Sequence, residues 1–280
     1  MGAFQENNLK TWRRFLAVIP ILLFGSSGWS WNRIGHQVIC DIALRELKPH
    51  TRKVVEAILH RTSASESLDF VGAGSWADDH RDRSSGSWHY INLHFRSDGL
   101  STQSLPAHQN VVWAINMFSD VIKGRNSNAV DQREALLYLI HFVSDVHQPL
   151  HCVSRDSNRY PDGDRGGNSF AIQSAGIPGN PKNLHSLWDS GCGLFCRGCS
   201  VHSLASNLLK AHPIDPKLVK ISDANTWAKE GLLVAKTTAY NIVEGALPNS
   251  MYLERCRSVS AKRVVLAGKR LAALLNRIIR

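Results

Sequence analysis

Apolar residues recur at three-and-four spacing in "HQVICDIALREL", "TRKVVEAILH", "QNVVWAINMFSDVIKG", "QREALLYLIHFVSDVHQ", "ANTWAKEGLLVAKTTAYNIVEGAL" and "AKRVVLAGKRLAALLNRII". That period lines up one apolar stripe per segment only if the segment winds as an α-helix. Alternating runs are scarce, and "NSFAIQ" is the best strand candidate. The expectation is an all-α architecture, with "SRDSNRYPDGDRGGN" and "SAGIPGNPKN" as long surface loops.

The first 30 residues follow a different rule. Lys10, Arg13 and Arg14 lead into the apolar run Phe15 to Gly25, which small residues close. This is the layout of a secretory signal, and the run is about half the roughly twenty residues a membrane-spanning helix needs. A retained anchor is the rival reading, and Pro20 interrupting the run argues against it. Cleavage before Trp29 and cleavage before Trp31 both satisfy the small-residue rule. The expected division is a signal peptide over 1–30 and one working domain over 31–280, secreted or periplasmic and without membrane contact once processed.

The chain carries a formal net charge of +10, of which residues 31–280 keep +8. A basic balance suits a polyanionic partner such as nucleic acid, although scattered basic residues also fit an ordinary soluble protein. Six cysteines in an exported chain point to disulfides. A thiolate zinc site in "CGLFCRGC" is the rival, short of a fourth ligand.

Thirteen histidines are present, and several stand beside carboxylates at helical spacing. His141 and Asp145 are four apart in "IHFVSDVHQPLH", so they share a helix face before Pro149 ends or bends the helix, and His151 follows. His185 and Asp189 repeat the spacing in "NLHSLWDSG". One such pair is ordinarily a surface ion pair. Two pairs with a third histidine form a set of imidazole and carboxylate donors suited to hydrolytic zinc. "NRIGH" adds His36 at a helix start, "SWADDHR" adds Asp78 and Arg81, and "WHYINLH" adds His89 and His94. The Arg81 fork suits a phosphate oxygen, though a solvated arginine on a charged turn is the commoner case.

"WNRIGH", "SWADDHR", "WHYINL", "EALLYLIHFVSDVHQPLH", "GGNSF" and "NLHSLWD" stand in this order over residues 31–189. Together they resemble the zinc-dependent single-strand nucleases of the S1/P1 type, relatives of zinc phospholipase C. The resemblance implies a mostly helical fold with a cluster of three zinc ions in a cleft. One zinc would take Asp78, His89, His141 and Asp145, and a second His151, His185 and Asp189. The third would take His36, the bridging Asp145, and the α-amino nitrogen and carbonyl oxygen of an N-terminal tryptophan five residues before that histidine, which is Trp31 and not Trp29. His89 rather than His94 matches the family's run, leaving His94 as a loop residue. His147 stays outside the site, and His50, His60, His80, His108, His202 and His212 read as surface or core histidines.

The implied activity is hydrolysis of single-stranded RNA or DNA on the 3'-oxygen side to give 5'-nucleotides, with removal of terminal 3'-phosphates. Clustered zinc would activate a water for in-line attack on phosphorus. Arg81 would bind phosphate and Asn168 would hydrogen-bond the scissile group, although a turn role suffices for an asparagine after two glycines. Tyr90 stands where fungal members place a stacking aromatic, and Asn92 replaces an acidic base reader. The long loop before the Gly-Gly-Asn segment resembles bacterial members, and no Asn-x-Ser/Thr sequon occurs. The chain is expected to work as a monomer on single-stranded nucleic acid and 3'-nucleotides. Zinc phospholipase C and a non-catalytic zinc-binding protein are the alternatives.

Overall fold

The computed structural model describes residues 31–60, 68–81, 84–102, 104–124 and 129–279, so the expected signal segment lies outside the described residues. Helices dominate. In order they are α1 (Arg33–Glu46), α2 (Pro49–Leu59), α3 (Trp76–Asp79), α4 (Val111–Lys123), α5 (Ala129–Asp145), α6 (Leu184–Asp189), α7 (Val201–Ala211), α8 (Pro216–Lys220), α9 (Ala224–Val234) and α10 (Ser250–Ile278). The apolar repeats found in the sequence lie on these helices, except that the one over 224–247 is helical only in its first part. Local chemistry sets their starts: the Asn32 carboxamide accepts the Gly35 N–H at 3.0 Å to open α1, and Asn183 with Ser186 forms a reciprocal capping box on α6.

α1 packs along α10, α5 lies against α4, and the core between them holds Ile39, Ile42, Phe118, Leu136, Phe142, Val264 and Leu271, all fully buried. Side chains of this size stabilise by roughly 1.5–3 kcal/mol each when removed from water. The interior is closed around α5, whose C-terminal end carries the chemistry. No helix among the described residues is long and apolar enough to cross a membrane.

Three local expectations are corrected. "NSFAIQ" makes only a single bridge, Ala171 to Asn183, and the strands are instead β1 (Leu93–Arg96) and β2 (Val153–Asp156), a parallel pair with Leu93 opposite Val153. His94 is therefore a strand residue whose Nδ1 lies 2.6 Å from the Asp156 carboxylate, not a loop residue. The helix expected over 224–247 ends sooner: α9 passes into a π turn at Ala235–Ala239, and the segment beyond pairs with residues 171–173 through Gly245 N–H to Ala171 O (2.8 Å) and Gln173 N–H to Ala246 O (3.0 Å).

The cysteines also divide. Cys192 joins Cys256 and Cys196 joins Cys199, which removes the thiolates a zinc site in that loop would need. Cys40 and Cys152 are buried free thiols, and burial raises the Cys152 pKa to about 12. Each behaves as a small apolar side chain wedged against a glycine, Cys40 on Gly74 and Cys152 on Gly231.

Candidate metal centre and substrate cleft

The site is assembled from four places. α1 supplies His36, α3 and the turn Gly86–His89 supply Asp78 and His89, α5 supplies His141 and Asp145, and the turn Pro149–Cys152 with α6 supplies His151, His185 and Asp189. Pro149 does what its geometry requires: α5 stops at Asp145, and the chain turns so that His151 rejoins the same space. Gly74 lets α1 approach, since a Cβ there would lie 2.7 Å from the Cys40 sulfur, and its carbonyl accepts from His141 Nδ1 at 2.8 Å.

Three groups result, in each of which the donor atoms lie within 4.8 Å of one another: His36, His141 and Asp145; Asp78, His89 and His141; His151, His185 and Asp189. Asp145 reaches two of the expected sites, with Oδ1 3.6 Å from His36 Nε2 and Oδ2 3.0 Å from His89 Nδ1 and 3.2 Å from His141 Nε2. His185 and His151 Nε2 stand 3.7 and 3.9 Å from the two Asp189 oxygens.

The donor chemistry fits a metal ion. His151 Nδ1 donates to His89 O at 2.8 Å and His185 Nδ1 to Gly166 O at 2.7 Å, which fixes the ring proton on Nδ1 in both. Their Nε2 atoms are then bare lone pairs, and they face each other at 3.2 Å. Two acceptors at that distance in a buried site repel unless a cation lies between them. Burial drives the same way: it lowers the pKa of His36 to about 3, of His185 to about 3 and of His89 to about 4, so these imidazoles stay neutral and ligand-ready. For His141 burial also lowers the pKa, but the carboxylates of Asp145 and Asp78 outweigh it and raise the value well above the usual range. Burial holds the Asp189 pKa well above that of an ordinary carboxylate.

Trp31 is the first described residue and is wholly buried. Its indole N–H donates to Ser144 O at 3.1 Å, one residue before Asp145, and its ring meets Phe195 edge-on at 5.4 Å. Asn32 continues the attachment, its N–H donating to Asp189 O at 2.9 Å and its amide to Phe195 O at 2.8 Å. Residues 31 and 32 are thus tied to the backbone next to Asp145 and to that of Asp189.

A cleft of about 360 Å³ opens beside His151 and His185, and the expected substrate residues Arg81, Tyr90, Asn92 and Asn168 all line it. Arg81 donates to Gly86 O at 3.1 Å, and its charge adds a small part to the burial that lowers the pKa of His89, His151 and His185. Asn168 combines both readings: its amide donates to Arg165 O at 2.9 Å in a turn, and it faces the cleft.

Two residues not singled out in the sequence also belong here. Gln148 is fully buried and donates to Asp189 Oδ1 at 2.7 Å while accepting the Leu150 N–H at 2.6 Å, so it orients that carboxylate. Its place inside "DVHQPLH" is the only signal it gives. Arg165 lines the same cleft, visible in sequence only as the residue before Gly-Gly-Asn. His147 stays out of the site: its Nδ1 donates to Val143 O at 2.7 Å and its Nε2 accepts from Arg270 at 3.1 Å.

The family model "S1/P1 Nuclease" matches residues 31–280. Endonuclease 2 of Arabidopsis thaliana is 29% identical over 89% of this chain and 90% of its own length, and Endonuclease 4 of the same plant is 25% identical over 98% and 97%. Nuclease P1 of Penicillium citrinum is 26% identical over 71% of this chain and 64% of its own length. These relatives are plant and fungal, so the bacterial affinity expected from the loop before Gly-Gly-Asn is not what the comparisons support. Loop length varies too readily to report descent.

Proposed function

The chain belongs to the S1/P1 nuclease family, and from that premise we propose that it is an exported zinc-dependent phosphodiesterase acting on single-stranded RNA and DNA, with 3'-nucleotidase activity. The observation that carries the reading is the pair of bare Nε2 atoms of His151 and His185, 3.2 Å apart at the end of a cleft lined by Arg81 and Asn168. A buried demand for cations stands next to groups that bind phosphate.

In this reading three zinc ions are held by Asp78, His89, His141 and Asp145; by His151, His185 and Asp189; and by Trp31, His36 and Asp145. When bound, zinc supplies Lewis-acid charge stabilisation and lowers the pKa of a coordinated water to roughly 7. The chain's own residues do the rest. Arg81 places two N–H groups on non-bridging phosphate oxygens and offsets charge that builds up on them. Asn168 donates to the same phosphate, its turn held by Arg165 O. Tyr90 is exposed on the cleft wall, where an unpaired base can stack, and Asn92 beside it offers both a donor and an acceptor to a base edge. A phosphate flanked by stacked, paired bases cannot reach the floor of such a cleft, which gives single strands their preference.

Cleavage between Ser30 and Trp31 completes the third site, since only a free amine at Trp31 can act as a donor where an amide cannot. Burial of Trp31, its bond to Ser144 O and the start of the family match at residue 31 support that register. The test is intact-mass and metal analysis of the exported protein, with hydrolysis assays on single-stranded DNA, RNA and 3'-AMP and lecithin as control. A mature chain starting at Trp31, three zincs and release of 5'-nucleotides are expected. Full activity from a chain starting at Trp29 would contradict the third site, and release of phosphocholine from lecithin alone would replace the nuclease reading.

A further inference from the structure

Arg165 has a backbone that the fold holds in place. Its φ is 59°, in the left-handed region that non-glycine residues other than Asn and Asp rarely enter. The strain is retained because every neighbour fixes it. Its N–H donates to Ser154 Oγ at 3.1 Å, and its carbonyl accepts from the Asn168 side-chain amide at 2.9 Å. Asp164 before it is buried and accepts from Arg155 N–H (2.9 Å), Gly167 N–H (3.1 Å) and Tyr240 OH (2.9 Å). Gly166 after it lies so close to Leu150 O that a Cβ would stand 2.2 Å away, and its own carbonyl orients His185. A left-handed residue between two anchored ones sends its Cα–Cβ bond in one defined direction, here into the cleft that Arg165 lines.

Among the described residues that side chain has no partner. Of the arginines on β2 and the following loop, Arg155 and Arg159 face Glu244 at 3.9 and 3.2 Å. For the guanidinium of Arg165, among the described residues, there is neither an ion pair nor a hydrogen bond, and it is exposed on the cleft wall. Arg81 is tied back to Gly86 O at 3.1 Å, whereas Arg165 lines the same cleft with no such bond to its guanidinium among the described residues.

We propose that Arg165 binds the phosphodiester flanking the scissile one, and so favours polynucleotides over 3'-mononucleotides. The proposal rests on the nuclease reading above. A 3'-mononucleotide has a single phosphate, which the cluster and Arg81 engage. A polynucleotide brings a neighbouring phosphate into the cleft, and Arg165, unpaired among the described residues, is placed to meet it.

Arg165→Asn is the variant of choice, because asparagine tolerates the left-handed backbone, and Arg165→Lys keeps the charge without the fork. Steady-state kinetics on single-stranded DNA and on 3'-AMP, repeated across a salt series, read the effect. For Arg165→Asn, kcat/KM on DNA is expected to fall about tenfold, mainly through KM, and by less than about threefold on 3'-AMP. The slope of log affinity for DNA against log salt should flatten by about 0.7, the value for one phosphate contact on a single strand. Arg165→Lys should recover most of the salt slope. An unchanged DNA KM and salt slope, or an equal loss on both substrates, overturns the proposal. If the wild-type protein hydrolyses neither substrate, it is the nuclease reading that fails.

Discussion

His147 and His151 lie four residues apart on one segment, and both are buried. Each gives its Nδ1 proton to a backbone carbonyl, Val143 O at 2.7 Å and His89 O at 2.8 Å, and each is left with a lone pair on Nε2. For His147 that lone pair meets the Arg270 guanidinium at 3.1 Å, itself paired with Glu230 at 2.7 Å. For His151 it meets another lone pair, that of His185, at 3.2 Å. One histidine has its cation built into the chain, and the other belongs to a group that could take one from solution. A buried histidine thus reads as structural or as a ligand according to what its second nitrogen faces, and its burial and spacing do not decide.

That contrast can be broken most severely at Asp145. Its two oxygens face His36 on one side and His89 and His141 on the other, so it lies within reach of two of the three expected zinc sites. Asp145→Asn removes the charge at nearly constant shape. Hydrolysis of single-stranded DNA should fall by about a thousandfold or more, with zinc content dropping below three per chain. A variant that keeps three zincs would show that Asp145 does not bridge.

Next in size is His151→Ala, set beside the intact His147. It removes one of the two facing lone pairs, and activity should fall on the order of a hundredfold together with loss of about one zinc, measured by metal analysis of the dialysed protein. A smaller loss is expected from Gln148→Leu. The variant keeps the volume but leaves Asp189 Oδ1 without its 2.7 Å donor, so the carboxylate is free to rotate. Zinc affinity, from competition with a chelating dye, should weaken about 10–100-fold with the other groups unaffected. Equal weakening at all sites would point to a general loss of packing.

Much of this was legible in the sequence because the information is local. The period of "QREALLYLIHFVSDVHQ" forces a helix, Pro149 forces its end, and His141 with Asp145 on one face then follows from geometry. The ordered motifs added His36, Asp78, His89, His185 and Asp189, and the structure brings all of them together. What was hidden depends on distant partners. β1 and β2 are four residues each and mix charged with apolar side chains, so their pairing has no period to betray it. Cys40 and Cys152 spoil the inference from an even cysteine count, because each is fixed by a close glycine contact from a remote helix or turn. The orienting role of Gln148 depends on Asp189, 41 residues away. Arg165 matters through the absence of a partner, which no local pattern can encode.

The mildest test of the contrast is His147→Ala. Arg270 would lose one acceptor but keep Glu230 at 2.7 Å on both forks and Leu218 O at 3.1 Å, so its charge stays compensated. Burial, reinforced by Arg263 and Arg270, holds the His147 pKa well below normal, so the wild-type ring is neutral and no buried charge is stranded by its removal. The cost is therefore that of one unsatisfied donor plus a small cavity, about 1–3 kcal/mol of unfolding free energy, read from urea denaturation of the zinc-loaded protein. Zinc content and the rate on 3'-AMP should stay within about twofold of wild type, because no His147 atom faces the three groups. Loss of a zinc in this variant, matching that in His151→Ala, would mean the two histidines do not differ in kind and that the lone-pair criterion fails.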